Sequence, residues 1–134
     1  MSPLRVILVE DDEIDAEAVR RAFRQHDLDP PLTFADGLFA LEALRDERGP
    51  LRGHPRPTII LDLNLPRMNG LEFLEALRAD PALRETPVVV LATSDDARDR
   101  RAARALGVAG YLIKGASSDL APLFELLEKI AGPL

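Results

Sequence analysis

Short apolar runs alternate along this chain with longer segments in which apolar residues recur at helical spacing. The apolar runs are too short for helices, and several are rich in β-branched residues, which is typical of buried strands. They occupy residues 6–9, 32–35, 58–61, 88–91 and 111–113. The helical segments begin at about residues 13, 37, 70, 95 and 119. The pattern therefore predicts a strand followed by a helix, repeated five times.

This alternation predicts an α/β fold in which helices cover both faces of a parallel sheet. The unbroken apolar runs at 6–9, 58–61 and 88–91 fit strands that are buried on both sides. Five strands are too few for the eight-stranded barrel, and the handedness of the crossovers favours an open, doubly wound sheet. No linker divides the chain of 134 residues, so we expect a single domain over 1–134.

The spacing also assigns faces and caps to individual helices. Leu38, Leu41 and Leu44 are expected on one face of the second helix. Asp12 is placed to cap the first helix, and Ser94 or Asp95 to cap the fourth. The core face of the first helix is predicted to consist of Ile14, Ala18, Val19, Ala22 and Phe23.

Composition and charge exclude several classes of function. The net charge of −6, from 17 basic and 23 acidic residues, argues against a nucleic-acid surface. The absence of cysteine excludes disulfides, thiolate metal sites and cysteine nucleophiles. No apolar stretch reaches the roughly 18 residues of a membrane span, and the N-terminus lacks a secretory signal pattern. We therefore expect a cytoplasmic protein without a membrane partner. His26 and His54 are isolated and are expected to be solvated.

Charged residues follow three of the predicted strands at the point where each strand ends. Glu10, Asp11 and Asp12 follow the first strand, Asp62 follows the third, and Lys114 follows the fifth. Because ligands of doubly wound sheets bind beyond the carboxyl ends of the strands, these groups are expected at one edge. On spacing alone, a second interpretation is equally good: the acidic residues cap the first helix and Asp62 is a turn residue.

Clustered carboxylates repel one another, and a hard divalent cation such as Mg²⁺ would compensate that repulsion. A nearby lysine adds a mobile positive charge that suits a phosphate group. A carboxylate can itself act as a nucleophile and form an acyl phosphate. Together these parts describe Mg²⁺-assisted phosphoryl transfer to an aspartate.

Four segments make the chain recognisable. They run from Val6 to Asp12, from Ile60 to Gly70, from Val88 to Ser94 and from Gly110 to Lys114. In this order and spacing they resemble the receiver domain of two-component response regulators, over about residues 4–131. The resemblance implies a flavodoxin-like (βα)5 fold with strand order 2-1-3-4-5.

The resemblance also implies roles for the residues at the sheet edge. Asp62 would accept the phosphoryl group, and Lys114 would pair with it. Asp11 would bind Mg²⁺ together with Asp62, while Glu10 would hold metal-bound water. The backbone carbonyl of Asn64 would be a further ligand.

Some positions depart from the family's pattern. The family usually has Thr or Ser where this chain has Ala92, and that hydroxyl couples phosphorylation to the following loop. Thr93 would point to the other face of an extended strand, so it is no automatic substitute. Gly115 replaces a proline that usually follows the lysine, and Asn69 replaces a common Asp. With Tyr111, the aromatic side chain that would reorient on activation, Ala92 and Thr93 are the predicted switch residues.

The family implies a sensor histidine kinase as partner and output through protein–protein contacts. The acidic start and the Leu63-Asn64-Leu65-Pro66 segment resemble small regulators paired with bacteriophytochrome-type kinases. Leu126 lies beside the Leu123 and Leu127 stripe. The fifth helix is therefore either a covered core helix or an exposed apolar surface for kinase docking or dimerisation, the homodimer then forming through helix 4, strand 5 and helix 5.

Two other functions remain open. A phosphorylation-independent pseudo-receiver adaptor is favoured by Ala92 and Gly115 and opposed by the intact set of charged residues. A small aspartyl-phosphate phosphatase is a weaker alternative. Such enzymes generally need a second acid two residues after the nucleophile, where this chain has Asn64. We therefore expect a phosphoacceptor and not an enzyme.

Overall fold

A computed structural model of the chain describes residues 5–46, 57–93, 95–115 and 120–131. Within these ranges, five strands alternate with five helices, which confirms the predicted α/β fold. The strands are β1 (Val6–Val9), β2 (Leu32–Phe34), β3 (Thr58–Leu61), β4 (Val88–Ala92) and β5 (Gly110–Ile113). The helices are α1 (Glu13–Gln25), α2 (Gly37–Arg45), α3 (Gly70–Ala79), α4 (Ala97–Ala105) and α5 (Ala121–Ala131).

The strands form one parallel sheet in the order β2-β1-β3-β4-β5, as expected. Side chains of the central strands alternate between two apolar layers because successive residues of a strand point to opposite faces. Ile7 and Val9 pack in the layer that includes α2 and α3, whereas Val6 and Leu8 pack in the layer that includes α1 and α5. Burial on both faces explains why β1 and β4 are continuously apolar and why β3 is apolar after Thr58.

The predicted core face of α1 is wrong at two positions. Ala16 lies in the core with Val19, Ala22 and Phe23, whereas the side chain of Ile14 is 82% exposed and Ala18 is also exposed. Asp12 sets the start of the helix, since its carboxylate accepts hydrogen bonds from the backbone N–H groups of Ile14 and Asp15. At about 100° per residue, positions 14 and 18 then lie roughly opposite position 16.

Several predicted details of the other helices also change. In α2, Leu38 is partly exposed, and Ala40 is buried with Leu41 instead. Asp96 caps α4 through the N–H groups of Arg98 and Asp99, whereas Asp95 binds Arg100. Ser94 and His54 lie outside the described residues.

Helix α5 is a core helix over its described side chains. Leu123, Phe124 and Leu127 are buried, and Leu126 packs against the second apolar layer beside Gly110. The exposed ring of His26 stacks on Phe124 with 3.8 Å between ring centroids, so this histidine is not purely solvated. No helix among the described residues combines the length and apolar character that crossing a bilayer requires.

Helix α3 begins very close to the end of β3. Asn69 and Glu72 form a reciprocal capping box, which fixes the first turn. A Cβ atom on Gly70 would lie 2.5 Å from the Cα of Leu63 and 2.6 Å from the carbonyl oxygen of Asp62. Because these contacts are to backbone, they cannot be relieved by a side-chain rotation. Glycine at this position therefore allows the helix to approach β3.

We predict that Gly70→Ala lowers the free energy of unfolding by about 1–3 kcal/mol, because the added methyl group overpacks this contact. Chemical denaturation of the variant and the parent would measure the change. Gly37→Ala is the matched control, since Gly37 is likewise the first residue of a helix and its Cβ would meet only side-chain atoms at 3.4 Å or more. Equal stability losses in the two variants would contradict the prediction.

Candidate functional site

Three carboxylates meet at the carboxyl edge of the sheet. Glu10 and Asp11 follow β1, and Asp62 follows the neighbouring strand β3, where its N–H donates to the carbonyl of Val9 at 3.0 Å. One carboxylate oxygen from each of the three lies within 4.8 Å of the others. Asp12, the fourth acidic residue of the prediction, caps α1 instead. Hereafter the acidic cluster means Glu10, Asp11 and Asp62.

Lys114 brings its ammonium into this cluster from the end of β5. Its backbone N–H donates to the carbonyl of Ala92 at 2.7 Å, which fixes where the side chain starts. Nζ lies 2.6 Å from Glu10 Oε1 and 3.6 Å from Asp62 Oδ2. It also donates to Asp15 Oδ2 at 3.0 Å. The lysine side chain is only 13% exposed, so these interactions are weakly screened by water.

Burial and mutual repulsion shift the acid–base properties of the site. Desolvation is the main reason why the pKa of Glu10 rises to about 7; the neighbouring Asp62 adds to the rise, and Lys114 opposes it. For Lys114, burial alone would lower the pKa, but hydrogen bonds to Glu10 and Asp15 outweigh it, so its pKa lies above the usual value. The site thus favours a charged lysine and disfavours full ionisation of the carboxylates.

The donor set of the acidic cluster consists of oxygen atoms alone, which suits a hard divalent cation such as Mg²⁺. Such an ion would neutralise the excess negative charge of this largely buried cluster. Asn64 lies at the rim of the cluster, and its backbone N–H donates to Asp62 Oδ1 at 3.2 Å. That contact helps to orient the carboxylate.

Thr93 does not point away from the site as an extended strand would place it. Strand β4 ends at Ala92, and Thr93 lies in a bend where its hydroxyl oxygen accepts a hydrogen bond from the side-chain amide of Asn64 at 3.0 Å. The chain direction changes at this residue, so the alternation expected of a strand no longer applies. Ala92 itself is buried, and its carbonyl accepts the hydrogen bond from the backbone N–H of Lys114.

Tyr111 lies on β5 and contacts a side chain of α4. Its ring is half-buried, and the guanidinium of Arg100 lies 4.7 Å from the ring centroid. Burial raises the pKa of the phenol. The ring therefore packs between the sheet and α4. Gly115 has φ of +78°, a conformation that a proline cannot adopt.

Sequence reasoning missed Asp15 as a partner of Lys114. The residue lies in the first turn of α1, and the start of that helix faces the same edge of the sheet as Glu10. The available signal was its place in the first turn of the helix that directly follows β1. That signal was weak because acidic residues are common in the first turns of helices.

Comparisons with known proteins all find receiver-type proteins. The family model of the response regulator receiver domain matches residues 6–125. Response regulator Rcp1 from Synechocystis sp. is 38% identical over 130 residues, which are 96% of this chain and 86% of that protein. A crystal structure of the Mn²⁺-bound form of Rcp1 covers 96% of this chain and 91% of its own, with a TM-score of 0.74 and 37% identity.

Two further solved structures are similar. The phosphorylated cyanobacterial phytochrome response regulator RcpA has a TM-score of 0.75 at 34% identity and covers 96% of this chain and 91% of its own. The bacteriophytochrome response regulator AtBRR has a TM-score of 0.80 at 26% identity and covers 100% of this chain and 96% of its own.

The raised pKa of Glu10 predicts a pH-dependent stability in the absence of divalent cations. Glu10 binds its proton more tightly in the folded chain than in the unfolded one. Its contribution to stability is therefore complete below pH ~4.5 and is lost as the pH rises through about 7. In the parent chain, the free energy of unfolding should fall by about 3 kcal/mol at most between pH 5 and pH 8. We expect Glu10→Gln to remove this fall.

Denaturant unfolding at several pH values, with a chelator present, would measure this difference. Glu75→Gln on the exposed face of α3 is the control for a simple change of charge. If the parent, Glu10→Gln and Glu75→Gln chains had parallel pH profiles, the assignment to Glu10 would be wrong.

Proposed function

Since this chain belongs to the response regulator receiver domain family, we propose that it accepts a phosphoryl group on Asp62 in an Mg²⁺-dependent reaction. The donor would be a phosphohistidine of a sensor histidine kinase. The observation that carries the proposal is the convergence of Glu10, Asp11 and Asp62 around the ammonium of Lys114. That arrangement combines a nucleophilic carboxylate, a cation site and a positive charge for the incoming group.

Each residue would have a defined part in the transfer. A carboxylate oxygen of Asp62 forms a bond to phosphorus while the bond from phosphorus to the kinase imidazole breaks, which leaves an acyl phosphate and a free histidine. Lys114 pairs with a phosphoryl oxygen. Asp11, Asp62 and the carbonyl of Asn64 would hold Mg²⁺, with Glu10 acting through metal-bound water. The ion would neutralise the charge shared by the carboxylates and the phosphoryl group.

We also propose that the receiver domain, over residues 1–134, works by contacts with other proteins. Phosphorylation of Asp62 would shift an equilibrium between two arrangements of the surrounding loops and so change the affinity for a partner. Rcp1, RcpA and AtBRR support this proposal because this chain covers most of the length of each. The chain would be a phosphoacceptor and not a classical enzyme. Its location in the cytoplasm remains a prediction.

The similar proteins favour a phytochrome-type kinase as the partner. RcpA is described as a phytochrome response regulator and AtBRR as a bacteriophytochrome response regulator. We therefore propose a bacteriophytochrome-type sensor kinase as the phosphoryl donor. A homodimer through α4, β5 and α5 stays a prediction.

A pseudo-receiver adaptor is the second candidate, and Ala92 favours it. A methyl group at this position cannot bond to a phosphoryl oxygen, so the usual link to the β4–α4 loop is missing. The intact acidic cluster and Lys114 favour the phosphoacceptor instead, because an adaptor would have no need of buried, mutually repelling carboxylates.

We expect Asp62→Asn to abolish labelling of the chain by acetyl phosphate in the presence of Mg²⁺, because the amide is a far poorer nucleophile. Intact-mass spectrometry would detect the added phosphoryl group. Asp12→Asn is the matched control, since Asp12 caps α1 and asparagine serves equally well as a cap. The phosphoacceptor assignment fails if Asp62→Asn is labelled like the parent; absence of labelling in the parent would favour the adaptor.

We expect Ala92→Thr to enlarge the phosphorylation-dependent chemical shift changes around Tyr111, because it restores a hydroxyl beside the phosphoryl group. Amide NMR spectra of both chains with and without beryllofluoride or acetyl phosphate would show this. Ala92→Val is the control that adds similar bulk without a hydroxyl. Identical shift changes in the parent and in both variants would show that the hydroxyl has no such effect.

A further inference from the structure

The ammonium of Lys114 binds carboxylates of two kinds. Glu10 and Asp62 belong to the acidic cluster and are suited to a divalent cation. Asp15, at 3.0 Å, lies outside that cluster. Among the described residues, Asp15 is thus the carboxylate that can hold Lys114 without also serving a metal ion.

Without such a carboxylate, the ammonium of Lys114 and a divalent ion would compete for the same oxygen atoms. In the proposed site, Asp62 would bind a divalent ion directly and Glu10 would bind it through water, and the ion would repel the ammonium. The lysine is nevertheless needed within reach of Asp62 for the phosphoryl group. A third, unshared carboxylate resolves this conflict because it keeps the ammonium at the site when the cluster is filled.

Asp15 is well placed for that task. Its backbone N–H donates to Asp12 Oδ1 at 3.1 Å, so the capped first turn of α1 fixes its position. A cavity of about 240 Å³, lined in part by Asp15, Val19, Lys114 and Gly115, adjoins the lysine on this side. The side chain of Lys114 therefore has space to shift toward α1 without leaving the site.

We propose that Asp15 is a positioning residue that draws the ammonium of Lys114 toward α1 and thereby lets a divalent cation enter the acidic cluster. The inference rests on the proposed metal-dependent function and adds a residue to it. Without Asp15, the lysine would pair more closely with Glu10 and Asp62 and would compete with the ion for their oxygen atoms.

Mn²⁺ affinity of the unphosphorylated chain provides a direct test, measured by electron paramagnetic resonance of free Mn²⁺ or by calorimetry. We expect Asp15→Asn to weaken Mn²⁺ binding on the order of tenfold, as loss of a partner that orients a site typically does. Asp15→Glu, which keeps the charge, should recover most of the affinity. Glu13→Gln is the matched control, because Glu13 also lies in the first turn of α1 but pairs with Arg20.

A double-mutant comparison separates competition by Lys114 from a simple loss of charge. In a Lys114→Met background there is no ammonium to hold, so adding Asp15→Asn should weaken Mn²⁺ binding only by about twofold. Equal losses in the two backgrounds, or an Asp15→Asn chain that binds Mn²⁺ as well as the parent, would overturn the inference alone. A parent chain that binds no Mn²⁺ would overturn the metal-dependent function as well.

Discussion

The repulsion among Glu10, Asp11 and Asp62 is the constraint on which the rest of the site depends. Parallel pairing of β1 with β3 brings these carboxylates within 4.8 Å of one another in a place where two of them are buried. Such a cluster is stable only if positive charge or protons offset it. Lys114 supplies the positive charge, but burial, together with the neighbouring Asp62, still raises the pKa of Glu10, so the lysine offsets these effects only in part. A receiver domain makes use of that remaining imbalance, because it favours binding of a cation.

The rigid fold keeps these carboxylates close together despite their repulsion. Apolar layers on both faces bury β1, β3 and β4, so their ends cannot separate to relieve the charges. Gly70 lets α3 pack directly against the backbone of Leu63, which anchors the loop that carries Asn64. Arg67 of the same loop donates to Asp36 Oδ2 at 2.6 Å, at the cap of α2. Contacts from several elements therefore hold the acidic edge in position.

The sequence was sufficient to predict the element order, the sheet topology and the edge at which Glu10, Asp11, Asp62 and Lys114 meet. The element order and the common edge follow from hydrophobic periodicity and from the rule that ligands of doubly wound sheets bind beyond the carboxyl ends of the strands. The strand order came from the resemblance to receiver domains. The sequence was insufficient where the direction of a side chain depends on local geometry. The phase of α1 is set by the Asp12 cap, so Ile14 is exposed rather than buried. Thr93 turns toward Asn64 because β4 ends one residue earlier, and Asp15 reaches Lys114 across 99 residues of sequence.

The contact between Asn64 and Thr93 connects the site to the β4–α4 loop even though Ala92 has no hydroxyl group. Asn64 follows the phosphoacceptor candidate by two residues, and its N–H already bonds to the carboxylate of Asp62. Its side-chain amide bonds to Thr93, at the start of the loop between β4 and α4. A continuous set of hydrogen bonds thus joins Asp62 to that loop through Asn64. The two loops are physically linked even though Ala92 offers no hydroxyl, so an alanine at this position does not by itself isolate α4 from events at Asp62.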